Sequence, residues 1–295
     1  MKLITEEKKI KNEIKDIFKK SLRKLNISGS DNVYLSLNMG GIFKPFLKNE
    51  KFIQKVNQKK KYYTKWVLKL LEKYFKKGTM ISPAFSYSFI ENKFFDIKKT
   101  PSDLGVFSQV FLEKRGIMRT DHPIHSICVY GKLKKKFSSD HGKYSFGTNS
   151  PFDKFLKYNI KFLNIGVPFG NTCTYVHHIE HLNGSNYRFY KLFLGKVKKN
   201  NKIVNSYCYD FVRYRQVGSE DLKNEKLIEF YLKKNKSISY SNDKIFFSCT
   251  KSIDVYKIAT KLLKKNSHIF LKKNFKILHN DNNTKKNIIK IKLIR

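Results

Sequence analysis

The chain has 295 residues, 40% of them hydrophobic and 15% aromatic, enough for a packed core in one large domain or two small ones. Lys and Arg number 62 against 23 Asp and Glu, a formal charge of +39, yet the excess is mostly lysine spread along the whole length. Arginine, preferred for bidentate recognition of bases and phosphates, is scarce, so the charge reads as compositional bias rather than a nucleic-acid-binding patch, though a basic cleft for a polyphosphate-bearing ligand stays compatible with it.

Four isolated cysteines, Cys128, Cys173, Cys208 and Cys249, form no C-x-x-C pair and predict a reduced, cytoplasmic protein. The first residues lack the apolar core of a signal peptide, and no apolar run has the length of a membrane span. From about Thr5 to Leu25, apolar residues from Ile10 to Leu25 recur at helical spacing and predict an amphipathic first helix. Asn32 to Leu37 alternates as a strand and ends at Asn38-Met39-Gly40-Gly41, a turn where backbone can approach a ligand. Lys59 to Lys77 is predicted as a helix stopped by Gly78, and Thr79 to Ser82 as a short buried strand before the aromatic loop Phe85 to Phe89.

Ser102 to Arg115 reads as a further helix, and Ile127 to Tyr130 as a strand. Between them, Arg119, His122 and Ser126 sit in a loop where they either cap neighbouring backbone or line a ligand. His141 and the run Phe146 to Pro151 follow, and Ser150-Pro151 suits the N-cap and first position of a helix from Phe152 to Tyr158. Ile160 to Ile165 is predicted as a strand, and it delivers Gly166 and the next segment at its carboxyl end, where α/β sheets place ligands.

That segment, Asn171 to His181, reads N-T-C-T-Y-V-H-H-I-E-H. Thr174, His177 and Glu180 are spaced by three, so a helix starting here puts them on one face. A histidine with a carboxylate three residues on suits general-base chemistry, because the imidazole titrates near neutrality and the carboxylate can fix its tautomer. The same letters permit a surface hydrogen bond and nothing more. His177, Glu180 and His181 also spell H-x-x-E-H, the inverted zinc-protease motif, with Glu220, Asp221, Glu225 and Glu229 available as a third ligand. A Cys/His nucleophile through Cys173 or Cys128 is weaker, because nothing in the sequence lowers either thiol's pKa.

Downstream, Tyr187 to Lys191 and Tyr207 to Tyr214 alternate like antiparallel strands, a β-rich insertion at about 185–215. Leu222 to Leu232 and Ser252 to Lys265 are predicted helices around a strand from Lys244 to Ser248. With no internal repeat and no long linker, residues 1–265 are expected to form one α/β domain, a three-layer α/β/α arrangement around a mixed sheet, with 266–295 a poorly tied basic tail.

Five motifs in order carry a resemblance: L-G-V-F-S-Q-V-F (Leu104 to Phe111), R-T-D-H-P-I-H-S (Arg119 to Ser126), F-G-T-N-S-P-F (Phe146 to Phe152), L-N-I-G-V-P-F-G-N-T (Leu163 to Thr172) and T-Y-V-H-H-I-E (Thr174 to Glu180). From roughly Val33 to Lys265 the chain resembles the aminoglycoside 3-N-acetyltransferase family. The resemblance implies an α/β fold distinct from the GNAT acetyltransferases and transfer of an acetyl group from acetyl-CoA to an amine of a sugar, with no metal. It implies His177 as general base, Glu180 as the carboxylate that orients it, and Thr174 at the thioester carbonyl.

Arg119, His122 and Ser126 match a loop near the acyl-CoA arm, with Thr120 replacing the usual serine, and Ser36 matches the serine ending the first strand, in altered surroundings. Tyr187-Arg188-Phe189-Tyr190-Lys191, Gly195 and Arg213 look like the subgroup found with surface-polysaccharide genes. With +39 overall, the expected acceptor is a nucleotide-linked or otherwise anionic amino sugar; the alternative is aminoglycoside resistance. The partners implied are acetyl-CoA and that acceptor, with no nucleic acid and no membrane span, in a chain that could pair as a homodimer.

Overall fold

Neighbouring residues on the central strands turn to opposite faces of the sheet, and each face has its own core. The strands are β1 (Asn32–Leu37), β2 (Thr79–Pro83), β5 (Ile127–Gly131), β6 (Lys161–Ile165) and β10 (Phe246–Lys251), extended at the two edges by β4 (Met118–Arg119) and β9 (Ile238–Asn242). Their order is β4-β5-β2-β1-β6-β10-β9. β1 runs parallel to β2 and to β6, whereas β5, β10, β4 and β9 join antiparallel, so the sheet is mixed. The structure, a computed structural model, describes residues 2–46, 48–138, 142–214, 223–272, 275–278 and 290–293. The sequence features at His141, Glu220, Asp221 and Leu222 lie outside them.

Val33, Leu35, Met80, Leu163 and Ile165 bury against helices α1 (Lys2–Lys24), α3 (Glu50–Gln58), α4 (Lys60–Tyr74) and α6 (Val106–Leu112). Tyr34, Ile81, Val129 and Phe162 bury on the other face against α8 (Lys154–Lys157), α9 (Tyr175–Leu182), α10 (Asn224–Lys234) and α11 (Ser252–Lys265). The result is the expected α/β/α sandwich. Three short helices complete the set: α2 (Met39–Phe43), α5 (Phe89–Asn92) and α7 (Lys134–Ser138).

Three differences bear on the site. Residues 39–58, read only as a turn and connection, form α2, a 3-10 turn and α3, started by Asn38 and Asn49 side chains that accept N–H bonds from Gly41 and Phe52. The helix predicted over Ser102 to Arg115 shortens to Val106–Leu112, because Gly105 takes φ 88° ahead of it and Asp103 turns its carboxylate to the Tyr87 and Ser88 N–H groups. The insertion falls at the expected place but its strands are longer than the predicted runs: β7 (Arg188–Lys199) and β8 (Lys202–Arg213) form one hairpin, with Asn200 and Asn201 left-handed at its tip, and β3 (Phe94–Asp96) adds parallel to β7.

Of the segment from Asn266 read as a poorly tied tail, the described residues just beyond α11 pack against the domain. Phe270 is fully buried and its carbonyl accepts from Lys223 N at 2.9 Å. Further on, β11 (Phe275–Leu278) pairs antiparallel with β12 (Lys290–Leu293).

Candidate active site

Two loops meet at the carboxyl ends of the parallel strands. A Cβ on Gly41 would stand 2.0 Å from the Gly166 carbonyl oxygen, so the segment after β1 and the segment after β6 touch backbone to backbone. Asn38 N donates to Ile165 O at 3.0 Å and locks them together. The chain then makes a 3-10 turn at Phe169–Asn171, with Gly170 N donating to Glu229 Oε2 at 2.8 Å, and enters α9.

Thr174 occupies the N-cap position of α9 but takes helical angles, φ −59° and ψ −21°, and its side chain makes no capping bond. Its hydroxyl therefore stays on the face shared with His177 and Glu180. His177 Nδ1 lies 2.7 Å from Glu180 Oε2. The histidine side chain keeps 19% of its surface open while the glutamate has none.

Glu180 is clamped from three further directions. Tyr187 Oη donates to Oε1 at 2.6 Å, Asn224 Nδ2 approaches Oε1 at 3.5 Å, and Arg188 Nε stands 2.8 Å from Oε2. Burial alone would raise this carboxyl, but Arg188, His177 and Tyr187 together outweigh it and hold it down at about 2. A permanent anion beside Nδ1 keeps the ring proton there, which leaves Nε2 as the basic nitrogen. Tyr187, Arg188 and Asn224 had no signal as site residues beyond the closeness of the Tyr-Arg pair to the motif.

The loop from Arg119 to Ser126 is held by a dense set of hydrogen bonds. Arg119 is 6% exposed, and its guanidinium donates to Ser126 Oγ at 2.9 Å, Ala84 O at 2.7 Å, Ser86 Oγ at 2.8 Å and the carbonyls of Ile97 and Thr100. Ser126 Oγ in turn donates to Ala84 O at 2.7 Å. His122 Nδ1 accepts from the N–H groups of Ile124 and His125, its Nε2 stands 3.3 Å from Tyr209 O, and burial pulls it down to about 4, so it is neutral. The polar atoms of all three residues thus brace the backbone and hydroxyls of the loops around them, and a role toward the cofactor remains a proposal.

Ser36 is half-buried on β1, in register with Asn164 of β6. Just beyond it a cavity of about 650 Å³ is lined by Asn38, Met39, Gly40, Phe43, Lys44, Val56, Lys60 and Phe107. Ser36 itself does not line it.

His181, the second histidine of H-x-x-E-H, packs against Tyr190 and Phe211, and its burial lowers its pKa. Among the described residues no three His, Cys, Asp or Glu side chains are grouped to hold a metal ion. Cys128 and Cys173 are buried and their thiols are pushed up, Cys128 to about 12 and Cys173 well above the ordinary value, which keeps both protonated.

A family model described as aminoglycoside 3-N-acetyltransferase matches residues 53–263, well over half of the chain. No curated protein sequence matches significantly. Among solved structures, aminoglycoside acetyltransferase AAC(3)-IIb superposes with a TM-score of 0.68 at 14% identity, covering 86% of this chain and 97% of that one. AAC-IIIb, solved as a binary complex with CoASH, gives 0.67 at 15% identity, with 86% and 96% covered. Sisomicin-bound AAC-VIa gives 0.67 at 15%, with 86% and 97% covered. The superpositions establish a shared fold, and the family match over most of the folded region fixes the lineage: the chain belongs to the aminoglycoside 3-N-acetyltransferase family, and it is an acyltransferase.

Proposed function

We propose that the protein transfers the acetyl group of acetyl-CoA to an amine of a polyamino sugar of the aminoglycoside type, with His177 as general base. The observation that carries this reading is the clamped pair: Glu180, buried and ionised, holds His177 Nδ1 at 2.7 Å. Nε2 takes a proton from the acceptor amine as its nitrogen bonds to the thioester carbonyl carbon; the C–S bond then breaks and the imidazolium returns that proton to sulfur, so CoA leaves as its thiol. The Thr174 hydroxyl, on the same face one turn earlier, suits the carbonyl oxygen that gains charge. Positioning supplies most of the acceleration, and a base of this kind adds about 10²–10⁴-fold.

The cavity beside β1 fits the donor. Phe43, Ile53, Val56 and Phe107 give it apolar wall for a thioester arm, and Lys44 and Lys60 give it cations for phosphates. Four free, buried cysteines and the need for acyl-CoA support a reducing compartment such as the cytoplasm.

The acceptor reading rests on the family rather than on local charge. Arg188 Nε lies 2.8 Å from Glu180 and offsets it, and burial raises the Glu225 carboxyl, which favours its neutral form. A family described as aminoglycoside 3-N-acetyltransferase supports a polycationic acceptor. Sisomicin-bound AAC-VIa points the same way. A second reading, transfer to a nucleotide-linked amino sugar of surface-polysaccharide metabolism, draws on a different cavity of about 500 Å³ walled by Lys98, Lys99, Lys114, Lys198 and Lys199, whose ammonium groups suit phosphates.

The test is acetyl-CoA-dependent acetylation of sisomicin and of a nucleotide-linked amino sugar, side by side. Turnover of sisomicin is expected, falling about 10²–10⁴-fold in His177→Ala while acetyl-CoA binding persists. A wild-type rate in that variant would remove His177 from the chemistry, and turnover of the nucleotide sugar alone would favour the second reading.

A further inference from the structure

Besides His177 and Glu180, the described residues hold one more histidine and carboxylate within 3 Å. His125 Nδ1 lies 2.8 Å from Asp210 Oδ1, the histidine 8% and the aspartate 5% exposed. The two imidazoles share a neighbour: the Phe146 ring packs 5.1 Å from His125 and 5.7 Å from His177, centroid to centroid. Phe85 at 4.7 Å and the half-exposed Tyr87 at 5.8 Å wall the His125 ring on other sides.

One hairpin serves both pairs. The start of β7 brings Arg188 to Glu180, and β8 brings Asp210 to His125, opposite Lys191 in the hairpin register. The β-rich insertion is thus a wall of the site.

The second pair is also incomplete. At 2.8 Å, His125 Nδ1 and Asp210 Oδ1 make a close charge contact, but neither atom has a well-aligned hydrogen bond among the described residues. Buried polar atoms are rarely left so, and groups that serve a ligand commonly align only when it is bound. Asp210 stays ionised, burial being outweighed by His125 and His122, so it favours the proton on His125 Nδ1. His125 Nε2, with no protein partner among the described residues, is then an acceptor and requires a donor from the ligand.

We propose that His125, oriented by Asp210, anchors the acceptor sugar: His125 Nε2 accepts a hydrogen bond from an ammonium or hydroxyl group of the amino sugar, on a carbon other than the one whose amine faces His177. The proposal rests on the acetyltransferase reading above and names a specificity determinant within it. Asp210 acts through His125 and is a positioning residue.

Sisomicin is the probe. In Asp210→Asn and in His125→Gln, which keeps volume and guards against loss of fold, KM for sisomicin is expected to rise about tenfold, the loss of one charge-assisted hydrogen bond. KM for acetyl-CoA should move far less. An unchanged KM for sisomicin, an effect confined to kcat, or equal rises in both KM values would overturn the assignment. Calorimetry separates this from a failure of the reaction: sisomicin binding retained in His177→Ala and weakened in Asp210→Asn supports the anchor even without turnover, and equal binding in all forms refutes it. Wild-type protein that acetylates another amine yet never binds sisomicin would refute the anchor for this class and leave the acetyl transfer standing.

Discussion

Arg188 carries more of the site than its distance from the chemistry suggests. Its Nε is 2.8 Å from a carboxylate with no exposed surface, so removing it strands a buried charge. Breaking such a pair costs about 3–5 kcal/mol, and Arg188→Met should lower the thermal midpoint accordingly; a midpoint equal to wild type would mean that another cation serves Glu180. Glu180→Gln keeps a side chain able to accept from Tyr187, so it should reduce turnover less than His177→Ala, read from initial rates at saturating substrates. The His177–Glu180 pair was legible because it is local: a spacing of three closes within one helical turn. Asp210 was silent because only the return of a 12-residue strand brings it to His125. Arg119, His122 and Ser126 were legible as a group, but the loop reading could not tell caps from ligands, and the carbonyls that Arg119 meets come from two separate segments, one at Ala84 and one from Ile97 to Thr100.

At the scale of elements, β1, β2 and β6 were legible as strands in the sequence, β1 by its alternation, and so was the helix before β2. The two-residue hairpin tip was missed because Asn200-Asn201 sits in a lysine- and asparagine-rich run, where asparagine carries little turn information. The Gly40-Gly41 pair was read as a flexible turn; its second residue is instead a point of contact between two elements. Gly41→Ala would drive a methyl to 2.0 Å from Gly166 O and 2.7 Å from its carbonyl carbon. Backbone cannot step aside as a side chain can, so the loops after β1 and β6 must part. We expect a loss of about 1–3 kcal/mol in chemical denaturation, together with a fall in kcat, because the same loop leads into α9. A variant as stable and active as wild type would show that the two loops have slack.

For the whole molecule, the buried titratable groups tie stability to pH. His122 and His178 are neutral in the fold, pulled by burial from an ordinary 6.5 to about 4 and about 3. An unfolded chain protonates both near 6.5, so below that pH the unfolded state binds more protons and stability falls as pH drops. Glu180 and Asp210, buried but held at about 2 chiefly by Arg188 and by His125, act in the same direction: their contribution is present above the ordinary carboxylate range and is lost on further acidification. Each histidine gives a slope of about 1.4 kcal/mol per pH unit between its two values, so between pH 6 and pH 4.5 the two together should remove about 4 kcal/mol. His178 is the cleaner probe, since it stacks 5.3 Å from Tyr175 and accepts from Gly147 N at 3.0 Å, whereas His122 is influenced by Asp210 and His125. His178→Asn keeps an acceptor for that N–H and should remove about half of the slope while lowering stability at pH 8. Thermal midpoints flat between pH 7 and pH 4.5 would mean that these histidines are charged in the fold, and the neutral, tightly sealed wall behind α9 would have to be abandoned.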